Sequence, residues 1–214
     1  MEADFWMQKW DKGELGFHQS VVNPFLAAHL QELNLVAGSR VFVPLCGKSL
    51  DMVWLRDQGF QVVGIELVPS AVAQFFDALD VTPEITVCGE LQRFSGAGIE
   101  VFVGDFFALT PALLGTVDLV YDRAALVALP AEIRRRYAEK MMQLCRAVPQ
   151  LLVTFDYEQS LLAGPPFSVP EAEVQRLYGA QYGLICLDSV AVSGGPRGDV
   201  GAREIAWQLV WQND

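Results

Sequence analysis

A glycine-containing turn and a carboxylate stand nineteen residues apart, each at the end of an apolar segment. The turn spans residues 44–49 (PLCGKS), and Glu66 closes the segment 62–66 (VVGIE). This pattern is typical of a βαβ unit that binds a nucleoside: a strand leads through such a turn into a helix, and a second strand ends in an acid. In such a unit the backbone N–H groups of the turn and the N-terminus of the helix approach the ligand. The carboxylate accepts hydrogen bonds from the ribose hydroxyl groups. The turn departs from G-x-G-x-x-G, so the pattern predicts a nucleoside cofactor without requiring a dinucleotide.

Two further segments also end in acids. Ile99–Val103 is a predicted third strand followed by Gly104 and Asp105, and residues 117–121 are a fourth strand followed by Asp122 and Arg123. Ligands of open α/β sheets bind outside the carboxyl ends of the strands. These two acids, together with Glu66, therefore predict one shared site.

The sequence lacks the residue patterns that several other kinds of active site require. A P-loop reading of Gly47-Lys48-Ser49 needs glycine at position 42, which is Phe42, so Lys48 is expected to be an exposed lysine at a helix start. His18 and His29 stand at no metal-ligand spacing, and there is no G-x-S-x-G segment. A nucleotide triphosphatase, a metal site and a serine hydrolase are all disfavoured.

The N-terminal aromatic residues allow two interpretations. Trp6 and Trp10 are four residues apart and would share one helix face, and Phe17 follows the Gly16 break. They form either a packed helix or an apolar cover that shields a ligand from water. The cover is favoured for Trp10 and Phe17 because they flank Gly16, and the choice stays open for Trp6.

The elements predict an α/β fold: a single doubly wound, mostly parallel seven-stranded sheet with a terminal antiparallel hairpin. The whole chain, 1–214, is expected to be one domain, with 1–35 as an N-terminal helical cover over the site. Residues 85–88 and 91–94 are short and are not counted among the seven strands. The expected strands are 40–45, 61–67, 99–103, 117–121, 151–155, 184–192 and 204–211.

The composition of the chain limits the kinds of molecule that it can be expected to bind. With a net charge of −11 over 214 residues, and its densest basic run at 134–136 on a helix that also carries acids, the chain is not expected to bind nucleic acid. No apolar stretch approaches the length of a membrane helix. Four scattered cysteines and an acidic, aromatic start predict reduced, buried thiols in a cytoplasmic protein. Nothing demands a dimer, and a monomer is expected.

Several segments together resemble one family. The chain is similar to thiopurine S-methyltransferases in their shorter bacterial form, within the class I S-adenosylmethionine-dependent methyltransferases. The resemblance covers nearly the whole chain, and the 44–48 segment (PLCGK) paired with 164–167 (GPPF) is its most specific part. The matching segments are 16–19 (GFHQ), 44–49 (PLCGKS), 63–66 (VGIE), 122–126 (DRAAL) and 164–170 (GPPFSVP).

The resemblance implies methyl transfer from S-adenosylmethionine to the sulfur of aromatic or heterocyclic thiols such as thiopurines. It also implies an association with selenium and tellurium compounds and their detoxification. Cofactor contacts are implied for Trp10, Leu45, Glu66 and Arg123, with Asp105 and Phe106 near the adenine, Phe17 near the substrate, and Arg197 or Arg203 as a late basic residue. No general base is assigned, because such thiols are partly ionised near neutral pH. Asp122 is the nearest candidate.

Other functions remain open at this point. The acceptor could be another small nucleophile, such as a halide, thiocyanate or selenide. A non-catalytic S-adenosylmethionine-binding module would show affinity without turnover, and the aromatic residues argue against it. A dehydrogenase is disfavoured because the loop lacks the second and third glycines.

Overall fold

The computed structural model describes residues 3–14, 16, 18–192 and 200–212. They form two compact units, one within residues 2–118 and the other within residues 119–214. The first unit contains helices α1 (Ala3–Asp11), α2 (Pro24–His29), α3 (Leu50–Asp57), α4 (Pro69–Ala78) and α5 (Pro111–Leu114), and strands β1 (Arg40–Pro44), β2 (Gln61–Glu66), β3 (Glu84–Cys88), β4 (Leu91–Gly96) and β5 (Ile99–Val103). The second contains helices α6 (Ala131–Leu144) and α7 (Glu171–Tyr178), and strands β6 (Leu119–Arg123), β7 (Gln150–Tyr157), β8 (Tyr182–Val192) and β9 (Ala202–Trp211).

In the first unit the strands lie in the order β3-β4-β5-β2-β1. Strands β1, β2 and β5 are parallel, with Pro44 opposite Ile65 and Glu66 opposite Val103. They are almost entirely buried, as expected for parallel strands covered on both faces. Their register brings the turn after β1, the carboxylate of Glu66 and the turn after β5 to one edge of the sheet.

In the second unit the order is β6-β7-β9-β8. Strands β6 and β7 are parallel, and β7, β9 and β8 pair antiparallel in turn. The predicted terminal antiparallel hairpin is therefore confirmed as β8 and β9. Arg123 stands opposite Val153, and Phe155 stands opposite Glu204.

The predicted number of strands was wrong. The sheet has nine strands rather than seven, and the additional two are β3 and β4, which pair antiparallel and continue to β5. Ile85 and Val87 of β3 are exposed, so its apolar residues do not mark a buried face. A short edge hairpin of this kind is held by backbone hydrogen bonds and leaves a weak hydrophobic pattern in the sequence. The α/β class with parallel central strands is confirmed.

Local signals set the helix boundaries near the site. The Asn23 side chain accepts hydrogen bonds from the N–H groups of Phe25 and Leu26 at the start of α2, at 3.0 and 3.4 Å. Ser49 Oγ accepts from Asp51 N at 3.2 Å at the start of α3, and Gly59 ends that helix with φ +90°. Asparagine and serine are typical N-cap residues and glycine typically follows a helix end, so the sequence itself indicates these boundaries.

Two further observations concern the whole described chain. No helix among the described residues is long and apolar enough to cross a membrane. All four cysteines are free thiols; Cys46 and Cys145 are buried as predicted, whereas Cys186 is exposed on β8.

Candidate active site

The turn after β1 has an unusual backbone. Leu45 and Gly47 have positive φ angles of 46° and 54°, and such a conformation is costly for leucine. The turn is fixed to β2 by two hydrogen bonds: Cys46 N donates to Ile65 O at 3.0 Å, and Gly47 N donates to a carboxylate oxygen of Glu66 at 2.8 Å. Residues held in strained conformations cluster at ligand sites, which supports the predicted role of Leu45.

Glu66 lies at the centre of this edge. Its side chain is 7% exposed, and its two oxygens accept the N–H groups of Gly47 and Val68 at 2.8 and 2.9 Å. Burial raises the pKa of Glu66, and the N–H groups of Val68 and Gly47 oppose that rise. Each oxygen keeps a second lone pair, so Glu66 can hold the turn and still accept a hydroxyl group.

Glycine at position 64 explains how the turn packs so closely on β2. A Cβ atom there would lie 2.7 Å from the sulfur of Cys46 and 3.3 Å from its Cβ. Cys46 is buried, and desolvation raises the pKa of its thiol well above the ordinary value. Cys46 is therefore a packing residue, and it is not positioned as a nucleophile.

Trp10 covers the residues that follow Glu66. It is buried and packs against Val68 and Ala71 at the start of α4, with Trp6 beside it. Lys48 lies with its ammonium nitrogen 5.7 Å from the centre of the Trp10 ring and donates to Gln74 Oε1 at 2.9 Å. The expectation that Lys48 is an exposed lysine was wrong: it is half-buried against the ring.

Asp105 and Phe106 follow β5 at the same edge. Gly104 N donates to the backbone oxygen of Glu66 at 2.9 Å, which fixes the β5 turn beside β2. Asp105 is exposed, and its carboxylate accepts the N–H group of Phe107 at 3.0 Å. Phe106 is buried and makes an edge-to-face contact with Phe107 at 5.6 Å between ring centres. Glu66, Asp105 and Phe106 thus meet at one edge, as predicted.

Asp122 and Arg123 end β6 in the second unit. Asp122 is fully buried, and its oxygens accept Leu126 N at 3.0 Å and the hydroxyl group of Tyr137 at 2.7 Å. Burial raises the pKa of Asp122 to about 6, and the Leu126 N–H and Tyr137 O–H donors oppose that rise. Ala124 follows Arg123 with a φ angle of +63°, so the backbone turn that the Asp122–Leu126 hydrogen bond closes is strained. The full burial of this carboxylate and its two hydrogen bonds argue against Asp122 as a general base.

Glu204 is a further candidate residue that was not predicted from the sequence. This residue of β9 is half-buried opposite Phe155, and burial raises the pKa of its carboxyl group while the charge of Arg123 lowers it. The signal was an acidic residue inside an apolar strand, 202–211 (AREIAWQLVW). A half-buried acid with a raised pKa in a strand interior is unusual enough to mark a functional candidate.

The structure describes only one of the three residues that were predicted to lie near the substrate. Arg203 is on β9 and donates to the Ser189 hydroxyl group at 2.8 Å and to the Ser189 backbone oxygen at 2.7 Å, which anchors it to β8. Phe17 and Arg197 lie outside the described residues, so their predicted roles remain predictions.

The loop 164–170 is held against the second unit by several hydrogen bonds. Phe167 N donates to Val127 O at 2.7 Å, and the hydroxyl group of Tyr157 donates to Pro166 O at 2.6 Å. Buried Arg134 donates to Ser168 O at 3.3 Å and lies 6.0 Å from the centre of the Phe167 ring. The GPPF segment is therefore anchored by hydrogen bonds within the second unit.

The fold defines the class of protein. Solved S-adenosylmethionine-dependent methyltransferases have a similar fold at low sequence identity. A Burkholderia thailandensis 1,6-didemethyltoxoflavin-N1-methyltransferase with bound S-adenosylhomocysteine matches with a TM-score of 0.64 at 16% identity, over 97% of this chain and 86% of that one. A magnesium protoporphyrin IX methyltransferase from Synechocystis PCC 6803 with bound SAH matches with a TM-score of 0.61 at 14% identity, over 96% and 97%. The chain has the class I methyltransferase fold with parallel central strands.

Sequence comparison defines the family. The family model for thiopurine S-methyltransferase (TPMT) matches residues 1–207. A thiopurine S-methyltransferase of Gluconobacter oxydans (strain 621H) is 52% identical over 97% of this chain and 94% of its own length. One of Teredinibacter turnerae (strain ATCC 39867 / T7901) is 51% identical over 98% and 97%. The chain belongs to the thiopurine S-methyltransferase family, which confirms the resemblance seen in its motifs.

Proposed function

We propose that this chain is a thiopurine S-methyltransferase, which transfers the methyl group of S-adenosylmethionine to the sulfur of an aromatic or heterocyclic thiol. The observation that carries the proposal is the buried Glu66 carboxylate, joined by hydrogen bonds to the strained turn after β1. Together with membership of the family over residues 1–207, it supports a nucleoside cofactor and methyl transfer to sulfur.

The donor groups at this edge fit S-adenosylmethionine. The cofactor carries a ribose, an adenine, a carboxylate and an amine, and no phosphate. Glu66 offers acceptor lone pairs to ribose hydroxyls, and Phe106 offers an apolar ring to an adenine. The absence of a phosphate-binding loop at residues 44–49 agrees with a ligand that has no phosphate.

The chain's own residues hold and enclose the reactants. We propose that Glu66 binds the ribose hydroxyls, that Leu45 contacts the cofactor through its turn, and that Asp105 and Phe106 border the adenine. Arg123 pairs with the cofactor carboxylate. When bound, S-adenosylmethionine supplies an electrophilic methyl group on a sulfonium ion.

Water exclusion is the main catalytic contribution of the aromatic residues. A thiolate and a sulfonium neutralise each other as the methyl group moves, and a water-poor environment favours that neutralisation. Buried Trp10 supplies such an environment over the residues after Glu66. We propose that α1 with Trp10, within the helical cover formed by residues 1–35, shields the reactants and that Phe17 contacts the substrate.

Turnover tests the proposal directly. The protein is incubated with S-adenosylmethionine and 6-mercaptopurine, and the S-methyl product and S-adenosylhomocysteine are measured by mass spectrometry. Equal amounts of both products support the proposal. Parallel incubations with selenide, thiocyanate and iodide test the other acceptors, and methylation of one of these without methylation of any thiol would refute thiopurine specificity. Cofactor binding without turnover on any acceptor would identify a binding module.

The proposal also includes the expected oligomeric state, the range of substrates and the location in the cell. We propose a monomer that acts on small molecules and takes part in the methylation of selenium or tellurium compounds. The four free thiols support a reducing, cytoplasmic location.

A further inference from the structure

The second unit contains an acid that the functions proposed so far do not use. In β7 the side chains of Val153 and Phe155 point to the same face, because side chains alternate along a strand. Arg123 pairs with Val153 across β6 and β7, and Glu204 pairs with Phe155 across β7 and β9. Arg123, Phe155 and Glu204 therefore share one face at the carboxyl ends of β6 and β7.

Glu204 has free acceptor capacity on that face. In the described part of the chain, no hydrogen bond or ion pair to its carboxylate is found. Its paired neighbours are Phe155 on β7 and Val190 on β8, and the residues two positions away on β9, Ala202 and Ala206, are small. The half-buried side chain of Glu204 therefore lies on the same face as the aromatic ring of Phe155.

The electrostatic environment of Glu204 suits a base. Burial raises the pKa of its carboxyl group, and the positive charge of Arg123 opposes the rise, so its basicity exceeds that of an exposed glutamate. A base works best when its pKa approaches the working pH. Asp122, the other acid on β6, is enclosed by Leu126 N and Tyr137 and cannot reach a substrate.

We propose that Glu204 is a catalytic residue that accepts the proton of the methyl acceptor, a heterocyclic thione or thiol bound against Phe155. The inference rests on the proposed S-methyltransferase function. The S–H or ring N–H bond breaks, and its proton moves to a carboxylate oxygen of Glu204. The electron pair of an S–H bond stays on the acceptor sulfur, whereas that of a ring N–H bond forms a C=N bond as the C=S pair moves onto the sulfur. That sulfur forms the S–CH₃ bond as the sulfonium S–CH₃ bond breaks, which leaves a neutral thioether and a protonated Glu204. The proton then leaves to water when the product departs.

The test compares two acceptors in wild type and Glu204→Gln. The acceptor 6-mercaptopurine carries a proton that must be removed, whereas 4-nitrothiophenol is ionised at neutral pH and needs no base. We expect kcat for 6-mercaptopurine to fall about 100-fold or more, in the range of a lost general base, and kcat for 4-nitrothiophenol to change less than about threefold. The loss with 6-mercaptopurine should shrink as the pH rises, because the acceptor then ionises in solution.

Controls separate this role from a structural one. Glu171→Gln, at an exposed position that begins α7, should leave both rates unchanged. If Glu204→Gln does not fold by circular dichroism, Glu204→Asp keeps the charge beside Arg123 but withdraws the carboxylate, and it must still show the loss selective for 6-mercaptopurine. Cofactor affinity, measured by calorimetry, should be unchanged in either variant.

Two results would overturn the inference. Equal losses with both acceptors would mean that Glu204 only positions Arg123 or stabilises the sheet, and unchanged rates would mean that it has no part in the reaction. Either result leaves the proposed function intact, because wild type still methylates both thiols. A wild type that methylates neither thiol overturns the proposed function itself, and the role of Glu204 with it.

Discussion

The buried carboxylate of Asp122 predicts an unusual dependence of stability on pH. Its pKa is raised from 3.8 to about 6, first by desolvation, which exceeds the opposing effect of two hydrogen bonds. The folded state therefore binds this proton more tightly than the unfolded state. The stability that this group contributes is fully present below about pH 4 and is lost as the pH rises through about 6. Asp122 should thus make the protein more stable on mild acidification.

The magnitude follows from the size of the shift. About two pKa units correspond to about 3 kcal/mol between the two limits. Over the experimentally convenient interval from about pH 7.5 to about pH 5, linkage gives about 1.4 kcal/mol. The neighbouring hydroxyl groups do not titrate in this interval, because burial raises the pKa of both Tyr137 and Tyr178 well above the ordinary value.

Urea denaturation of wild type and Asp122→Asn at the two pH values measures the effect. Asparagine keeps the size of the side chain and an acceptor for Leu126 N, and it cannot titrate. On acidification, wild type should gain about 1.4 kcal/mol in free energy of unfolding relative to the variant. Identical pH responses, or a wild type that loses stability relative to the variant, would show that the two hydrogen bonds outweigh desolvation and would refute the reasoning.

Three further substitutions test the packing within the two units, one in the first and two in the second. Gly64→Ala should lower the free energy of unfolding by about 1–3 kcal/mol, because its Cβ meets Cys46 Sγ at 2.7 Å, and adding Cys46→Ala should restore part of the loss in denaturant titrations. Thr154→Val should cost about 1–3 kcal/mol by leaving the buried indole N–H of Trp207 without its 2.9 Å partner; a variant as stable as wild type in fluorescence-detected unfolding contradicts this. Tyr157→Phe should cost about 1 kcal/mol by removing the bond to Pro166 O, and an unchanged urea midpoint would exclude a stabilising role for that bond.

Much of the first unit could be predicted from the sequence because its signals are local. The N-cap residues Asn23 and Ser49, the helix-ending Gly59 and the acid at the end of β2 each act on backbone groups a few residues away. Long apolar runs then place the parallel strands, and the sheet rule places Glu66 at the ligand edge. Such local features fix both the order of the elements and the position of the site.

The features that were missed depend on long-range contacts. Whether Asp122 is a base or a buried hydrogen-bond acceptor is decided by Tyr137 on a different element. Lys48 is half-buried where its side chain meets Trp10 of α1 and Gln74 of α4. Glu204 becomes a candidate through strand register, since pairing of β7 with β9 sets it opposite Phe155. No pattern within a short window of sequence contains this information.

The dual role of Glu66 links fold and function at the first edge. Its carboxylate holds the turn at Gly47 and the start of α4 at Val68, while its remaining lone pairs are left for the proposed hydrogen bonds from ribose hydroxyls. A loss of affinity on substitution can therefore arise from the missing acceptor or from a displaced turn. Measuring the melting temperature alongside affinity separates the two, because a displaced turn lowers both.

Calorimetric titration with S-adenosylmethionine tests the central claim most directly, with NAD as the competing ligand. Wild type should bind S-adenosylmethionine at one site and show no affinity for NAD. Glu66→Ala should weaken binding by about 1–3 kcal/mol through lost hydrogen bonds to a charged group, whereas Glu90→Ala, at an exposed position between β3 and β4, should bind as wild type does. Preference for NAD, or full affinity in Glu66→Ala, would contradict the assignment of this edge as the cofactor site.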